Sequence, residues 1–273
     1  MLDIIRSRSS IRTFALEPVP EERMRQLESV VKEVRTGPFG HTGRFGIVAL
    51  GEKENKEVNN FSTYGVIKNP YAYLVGAVLR GNRSLVDYGY LFQRILLEAT
   101  KLGLGTCWLG GTFNRSAVSK VFPLQPEEII PAVSPIGIPA EKKSLVDGIL
   151  RWSAASKHRK PWEQLFFTYE TFAPYPKRDD TWGAALEGVR LAPSAMNRQP
   201  WRVLLEENEA HFCIDKRVDR GPEPVRFVEL DLGIALYHFE AVLLEEGITG
   251  RWQRIPVSSP KEWEYIISWV REK

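Results

Sequence analysis

One pattern occurs twice in this chain: Asp-x-Gly, a long apolar stretch, a glycine, then a tryptophan. Asp87-Tyr88-Gly89 lies over Asp231-Leu232-Gly233, Gly103 over Gly247 and Trp108 over Trp252, all at one spacing. In the first copy Leu91, Ile95, Leu96, Ala99 and Leu102 recur at helical period, which predicts a helix over Ser84–Gly103; Asp231–Glu246 predicts the second. A glycine past the last apolar turn is a common helix stop. Two readings fit. Either two similar amphipathic helices share a chain, or two halves are related like the subunits of a dimer and fused. With 273 residues the chain is long enough for two domains of ordinary size.

Other elements follow from local signals. Glu21-Glu22, after Pro18 and Pro20, opens a helix with Met24, Leu27, Val30, Val31 and Val34 on its apolar face. The glycines of residues 37–43 mark a loop. Strands are expected over Phe45–Leu50, Tyr71–Leu79, Leu104–Leu109 and Ala132–Ile138, with Leu165–Thr171 extended and Pro126–Ile130 a turn or short helix. Pro174–Asp180 is polar and proline-rich and reads as a linker. It divides the chain into a first half, 1–173, and a shorter second half, 174–273. Thr181 caps a helix over Trp182–Val189, and Arg202–Glu206 with Ala210–Ile214 suggest a hairpin.

Composition removes several function classes. Lys and Arg number 37 against 34 Asp and Glu, a net charge of +3 that is too weak to argue for nucleic acid. Cys107 and Cys213 form no CxxC pair, which excludes a disulfide scaffold and suits a reducing compartment. His41, His158, His211 and His238 show no HxxxH or HExxH spacing, so no metal site can be read. The start, Met1-Leu2-Asp3-Ile4-Ile5-Arg6, lacks the apolar run of a signal peptide, and no stretch of about 18 apolar residues exists to span a membrane. The expectation is a soluble cytoplasmic protein without membrane or nucleic-acid partners.

Four groups of residues could carry chemistry. Arg6, Arg8 and Arg12 lie among Ser7, Ser9 and Ser10, a set suited to clamping phosphate, although a solvated basic terminus also fits. Residues 192–201 (Ala-Pro-Ser-Ala-Met-Asn-Arg-Gln-Pro-Trp) expose backbone and amide groups to a flat ligand, or simply join helix to strand. Ile136-Gly137 ends a strand where a ligand could approach the backbone, or marks a turn. Lys157-His158-Arg159 is basic, as many surfaces are. No GxGxxG follows the first strand, and neither a Walker A sequence nor a GxSxG is present. Cys107 beside Trp108 reads as core. With no side-chain catalyst in view, a bound cofactor would carry any hard chemistry.

Together and in order these segments resemble the FMN-dependent nitroreductase family. Arg8-Ser9-Ser10-Ile11-Arg12-Thr13-Phe14 is similar to its opening Arg-x-Ser-x-Arg/Lys-x-Phe motif, and residues 192–201 to its Ala-Pro-Ser-x-x-Asn-x-Gln-Pro-Trp loop. Asp87–Gly111 resembles its central helix and the Gly-Leu-Gly-x-x-Trp-x-Gly strand. Ile136-Gly137-Ile138-Pro139 resembles its Gly-x-Pro strand end, and Lys157-x-Arg159 its Lys-x-Arg. The order departs from the family, since residues 37–43 stand where the Ala-Pro-Ser loop is expected and the second half lacks the opening motif. The chain thus resembles the subgroup of nitroreductases in which a single chain corresponds to the family's dimer.

The resemblance implies an α+β fold: two related halves fused as a pseudo-dimer, with mixed, mainly antiparallel sheets flanked by helices. It implies one FMN site per chain. Arg8, Ser9, Ser10 and Arg12 would hold phosphate and ribityl groups, and Lys157 and Arg159 would add charge. Pro193, Ser194, Ala195 and Asn197 would meet the ring, and Ile136 and Gly137 its edge. NADH or NADPH would be the co-substrate, and a small-molecule electron acceptor such as a nitroaromatic or quinone the partner. A monomer then becomes plausible, with a larger homo-oligomer open. Two other functions stay in view: a flavin- or small-ligand-binding protein with little turnover, and a cofactor-free remnant acting through protein contacts. Tyr64 and His41 are not assigned.

Overall fold

The computed structural model describes residues 1–49, 61, 65–140, 158–219 and 225–272. In chain order the elements are α1 (Leu2–Ser7), α2 (Glu21–Glu33), β1 (Gly43–Ala49), β2 (Ala72–Leu79), α3 (Ser84–Lys101), β3 (Gly105–Thr106), α4 (Arg115–Val121), β4 (Glu128–Ile129) and β5 (Val133–Gly137). There follow β6 (Phe166–Thr168), α5 (Thr181–Leu191), β7 (Trp201–Leu205), β8 (Glu209–Asp215), α6 (Phe227–Glu245), β9 (Gly250–Gln253) and β10 (Trp263–Arg271).

Apolar patterning explains most of these. Met24, Leu27 and Val31 bury one side of α2, and the other faces water. Asp180 rather than Thr181 caps α5, its Oδ1 accepting from the Gly183 amide at 2.9 Å. The first sheet runs β1-β2-β5-β3 with β4 also on β2, all antiparallel. The segment at 126–130 therefore includes a short strand rather than a helix start. β3 is shorter than the expected Leu104–Leu109, because the Cys107 amide donates to the Ser134 hydroxyl and leaves the ladder until Leu109 meets Val133. The second sheet runs β6-β7-β8-β10-β9, antiparallel except for β6 on β7.

α3 and α6 pack on each other between the two sheets. The space a Cβ would need at Gly89 is held by the Leu230 carbonyl oxygen, and at Gly233 by that of Val86. Val86 and Leu230 occupy the same position in the two copies, as do Gly89 and Gly233. The contact is reciprocal, as across a two-fold axis. Only glycine allows backbones this close. Gly103 and Gly247 follow the two helices at φ 72° and 74°. The repeat is thus structural: the chain is α+β, and its two long helices meet by the same glycine contact from either side.

The halves exchange segments. β6 precedes the linker yet pairs with β7, with Phe166 opposite Val203. Ile5 of α1 belongs to the apolar core of the second half, with Val189 and Val242. The segments expected on either side of 173/174 are therefore interleaved in space. Among the described residues no helix is long and apolar enough to cross a membrane.

Candidate functional site between the halves

The N-terminal segment leaves α1 at Arg8 in extended conformation. It then runs beside β3: Ser10 bridges Thr106, and the Ile11 amide donates to the Thr106 carbonyl at 2.8 Å. This places Arg8, Ser10 and Arg12 around Cys107. The Ser10 hydroxyl bonds to the thiol and both guanidinium charges act on it, yet burial dominates and raises the thiol's pKa. Cys107 is therefore a core residue.

Arg8 is the odd member. Its Nη1 is buried and has no hydrogen-bond partner, and burial depresses its pKa. Arg159 lies within its field. Burial first, then the Arg8 and Arg190 charges, lower the Arg159 pKa to about 10. Arg190 is paired with Glu187. Among the described residues, neither Arg8 nor Arg159 has a carboxylate within ion-pair distance. A pair of part-buried guanidiniums without a counter-charge is costly unless an anion joins them. The two guanidiniums therefore share one field with no carboxylate between them among the described residues.

Arg159 also ties this site to the second half. Its Nη1 donates to Asn197 Oδ1 at 2.7 Å and its Nη2 to the Leu191 carbonyl at 3.0 Å. Asn197 Nδ2 donates to the His158 carbonyl, and Gln199 Oε1 accepts from the Lys160 amide at 2.7 Å. The loop at 192–201 is held from within as well: the Gln199 amide donates to Ser194 Oγ and the Asn197 amide to the Ser194 carbonyl. Met196, Asn197 and Gln199 adopt φ of 52°, 55° and 48°. Each costs about 1 kcal/mol or more, and such strain persists where surrounding bonds over-determine the backbone.

Asp231 completes the support. Buried on α6, it accepts from the Ala195 amide through Oδ1 at 2.9 Å, while Oδ2 has no partner. Burial raises its pKa to about 8. Its counterpart Asp87 binds the other half's loop through both oxygens, from the Phe39 and His41 amides at 2.8 Å each, and burial raises it only to about 6. His41 therefore belongs to the pseudo-symmetric counterpart of the loop.

Beneath the arginines a buried chain of hydrogen bonds joins α3 to α6. Trp108 Nε1 donates to Gln93 Oε1 at 2.9 Å. An indole only donates, so the Gln93 amide is oriented with its Nε2 toward His238 Nε2, 2.8 Å away. His238 must then accept there and donate from Nδ1 to the Gly188 carbonyl at 2.9 Å. It is the neutral tautomer, and burial, with the Arg8 and Arg159 charges, takes its pKa down to about 3.

The structure thus brings Arg8, Arg159 and the loop of Pro193, Ser194, Ala195 and Asn197 together, and sets Ser10 and Arg12 along β3. Ser9 and Ser10 are both exposed. Lys157 and Tyr64 lie outside the described residues. Ile136 is wholly buried, and its carbonyl accepts from the Tyr71 amide at 2.8 Å. At Gly137 the place of a Cβ is taken by the Phe14 ring, 2.8 Å away. Sequence reasoning missed the roles of Asp231, Gln199 and His238. For Asp231 a signal existed, since Asp-x-Gly marks the repeat.

A known family matches this architecture: the one described as "Putative TM nitroreductase" matches residues 1–242. The chain belongs to that family. Among solved structures, a putative nitroreductase from Thermotoga maritima MSB8 is 20% identical. It aligns over 98% of this chain and 92% of its own, with a TM-score of 0.62, which is a likeness of fold. A putative nitroreductase in complex with FMN from Desulfovibrio desulfuricans is 22% identical over 64% of this chain and 97% of its own, at TM-score 0.47. An FMN-dependent nitroreductase from Clostridium difficile R20291 is 19% identical over 56% and 95%, at 0.44. None of the curated proteins compared with the chain matches it.

Proposed function

We propose that this nitroreductase-family chain binds one FMN between its halves and is an oxidoreductase passing electrons from NADH or NADPH to a nitroaromatic or quinone-type acceptor. The observation that carries the reading is the buried, unpartnered Nη1 of Arg8, beside an Arg159 that has no carboxylate partner among the described residues. A phosphate monoester is the anion that two guanidiniums suit. When bound, FMN supplies hydride acceptance and delivery, chemistry that no side chain here provides.

The residues divide that work. Arg8 and Arg159 would bind the phosphate, with Ser9, Ser10, Arg12 and Lys157 as further donors along the same segments. The loop at 193–197 acts as a rigid wall. Asn197 and the Ala195 amide are already bonded within the chain, so they fix the loop's shape rather than reach out. A wall that does not rearrange holds a flat ring in one pose, which is how a protein contributes to cofactor chemistry.

An absorbance spectrum of the purified protein, before and after FMN incubation and desalting, tests this. The expected result is a retained band near about 450 nm at roughly one flavin per chain, bleached by NADH or NADPH. The Arg8→Ala, Arg12→Ala double variant should lose most of the retained flavin. Unchanged retention would overturn the clamp. Full loading without bleaching would favour a flavin carrier.

A further inference from the structure

Away from the flavin site, the outer face of the second sheet gathers a histidine and two carboxylates. Glu206 follows β7, and Glu209 and His211 are alternate residues of β8, so both point to one side of the sheet. Hairpin register puts Leu204 opposite His211, and Glu206 lies two residues on, on the same side. His211 Nε2 is 3.3 Å from Glu206 Oε1 and 3.8 Å from Glu209 Oε2, and the three ligand atoms lie within 4.8 Å of one another.

The histidine is set as a ligand would be. Its side chain is 1% exposed, covered by the Tyr169 ring at 4.8 Å. Its Nδ1 is 2.8 Å from Ser268 Oγ, which is 2.8 Å from the Tyr265 hydroxyl, itself bonded to the Ile255 amide. An outer hydrogen bond on one ring nitrogen, aiming the other, is the usual support of a metal-binding histidine. Nε2 has no partner beyond the two carboxylates. Among the described residues no Lys or Arg lies within ion-pair distance of either glutamate. Charge then selects the occupant: a proton on the ring would leave the group at −1, whereas a divalent cation on neutral imidazole and two carboxylates brings it to zero.

We infer that Glu206, Glu209 and His211 form a divalent-metal site, with a mixed nitrogen–oxygen set suited to Zn²⁺ or a neighbouring transition metal. Ligands about 2 Å from tetrahedral zinc stand roughly 3.3 Å apart, close to the two histidine–carboxylate distances. Glu206 and Glu209 are 41% and 32% exposed, so they can close the remaining gap. Bound there, the ion would pin the β7–β8 turn to the face that β10 completes.

The test is calorimetric titration of chelator-treated full-length protein with Zn²⁺ alone. The expected result is one Zn²⁺ per chain at micromolar concentration. Glu206→Gln with Glu209→Gln, both at the surface, should weaken binding more than tenfold, and Ser268→Ala by about tenfold through loss of ring orientation. Urea midpoints of the metal-free variants confirm that they fold. Absence of stoichiometric binding would overturn the site, as would wild-type affinity in the double glutamine variant. Displacement by millimolar Mg²⁺ would overturn the choice of metal class.

Discussion

Asp231→Asn isolates one buried carboxyl in the pH dependence of stability. In the folded chain burial raises the Asp231 pKa from 3.8 to about 8. Between those values the native state holds a proton that the unfolded chain has released, so stability falls as pH rises, by about 1.4 kcal/mol per pH unit. Three other groups with large shifts act outside the upper part of this range. Asp87, raised to about 6, adds a slope of the same sign only below that pH. His238, lowered from 6.5 to about 3, acts with opposite sign below about 6.5, since there the unfolded chain is protonated and the native one is not. Lys160, lowered to about 8 by burial, acts above that value. From pH 6.5 to 8 Asp231 therefore dominates, and the stability of the protein should drop across it by about 2 kcal/mol. Asparagine keeps an oxygen for the Ala195 amide and cannot ionise. Urea melts of both proteins at several pH values in this window should give a wild-type slope that the variant lacks. Parallel slopes would refute the reasoning and mean that Asp231 is ionised in the fold at neutral pH.

Two further outcomes follow from packing. Gly89→Ala and Gly233→Ala each push a methyl against the facing carbonyl, and each should cost about 1–3 kcal/mol in urea unfolding despite alanine's better helix propensity; a neutral result at either would contradict the reciprocal contact. Trp108→Phe removes the donor that orients Gln93 and leaves a buried amide oxygen unpaired, with an expected loss of about 1–3 kcal/mol, and an unchanged unfolding midpoint would remove the tautomer argument for His238.

Legibility in the sequence follows local physics. α2 and α3 could be read because each keeps a partly wet face, so apolar residues recur at helical period. The hairpin of β7 and β8 was readable from alternation. β10 was not: Ile266 to Trp269 are all buried, which leaves no alternation to detect. β4 is two residues long, and only its partner β2 makes it a strand. In the candidate site, the loop at 192–201 and the arginines stood out by composition, whereas the packing of Phe14 against Gly137 depends on residues distant in sequence.

By itself the sequence marked the repeat, through Asp-x-Gly and the glycine stops, because close backbone approach and the left-handed stops after both long helices favour glycine. It also determined the elements whose stability comes from one apolar face. Only the tertiary structure decided that α1 and β6 cross to the second half, that Arg8 and Arg159 share one field, and that Glu206 and Glu209 converge on His211. These depend on burial and on contacts between distant residues. Local propensity carries no record of them, since a charge becomes costly, and a pKa moves, only when another part of the chain takes the water away.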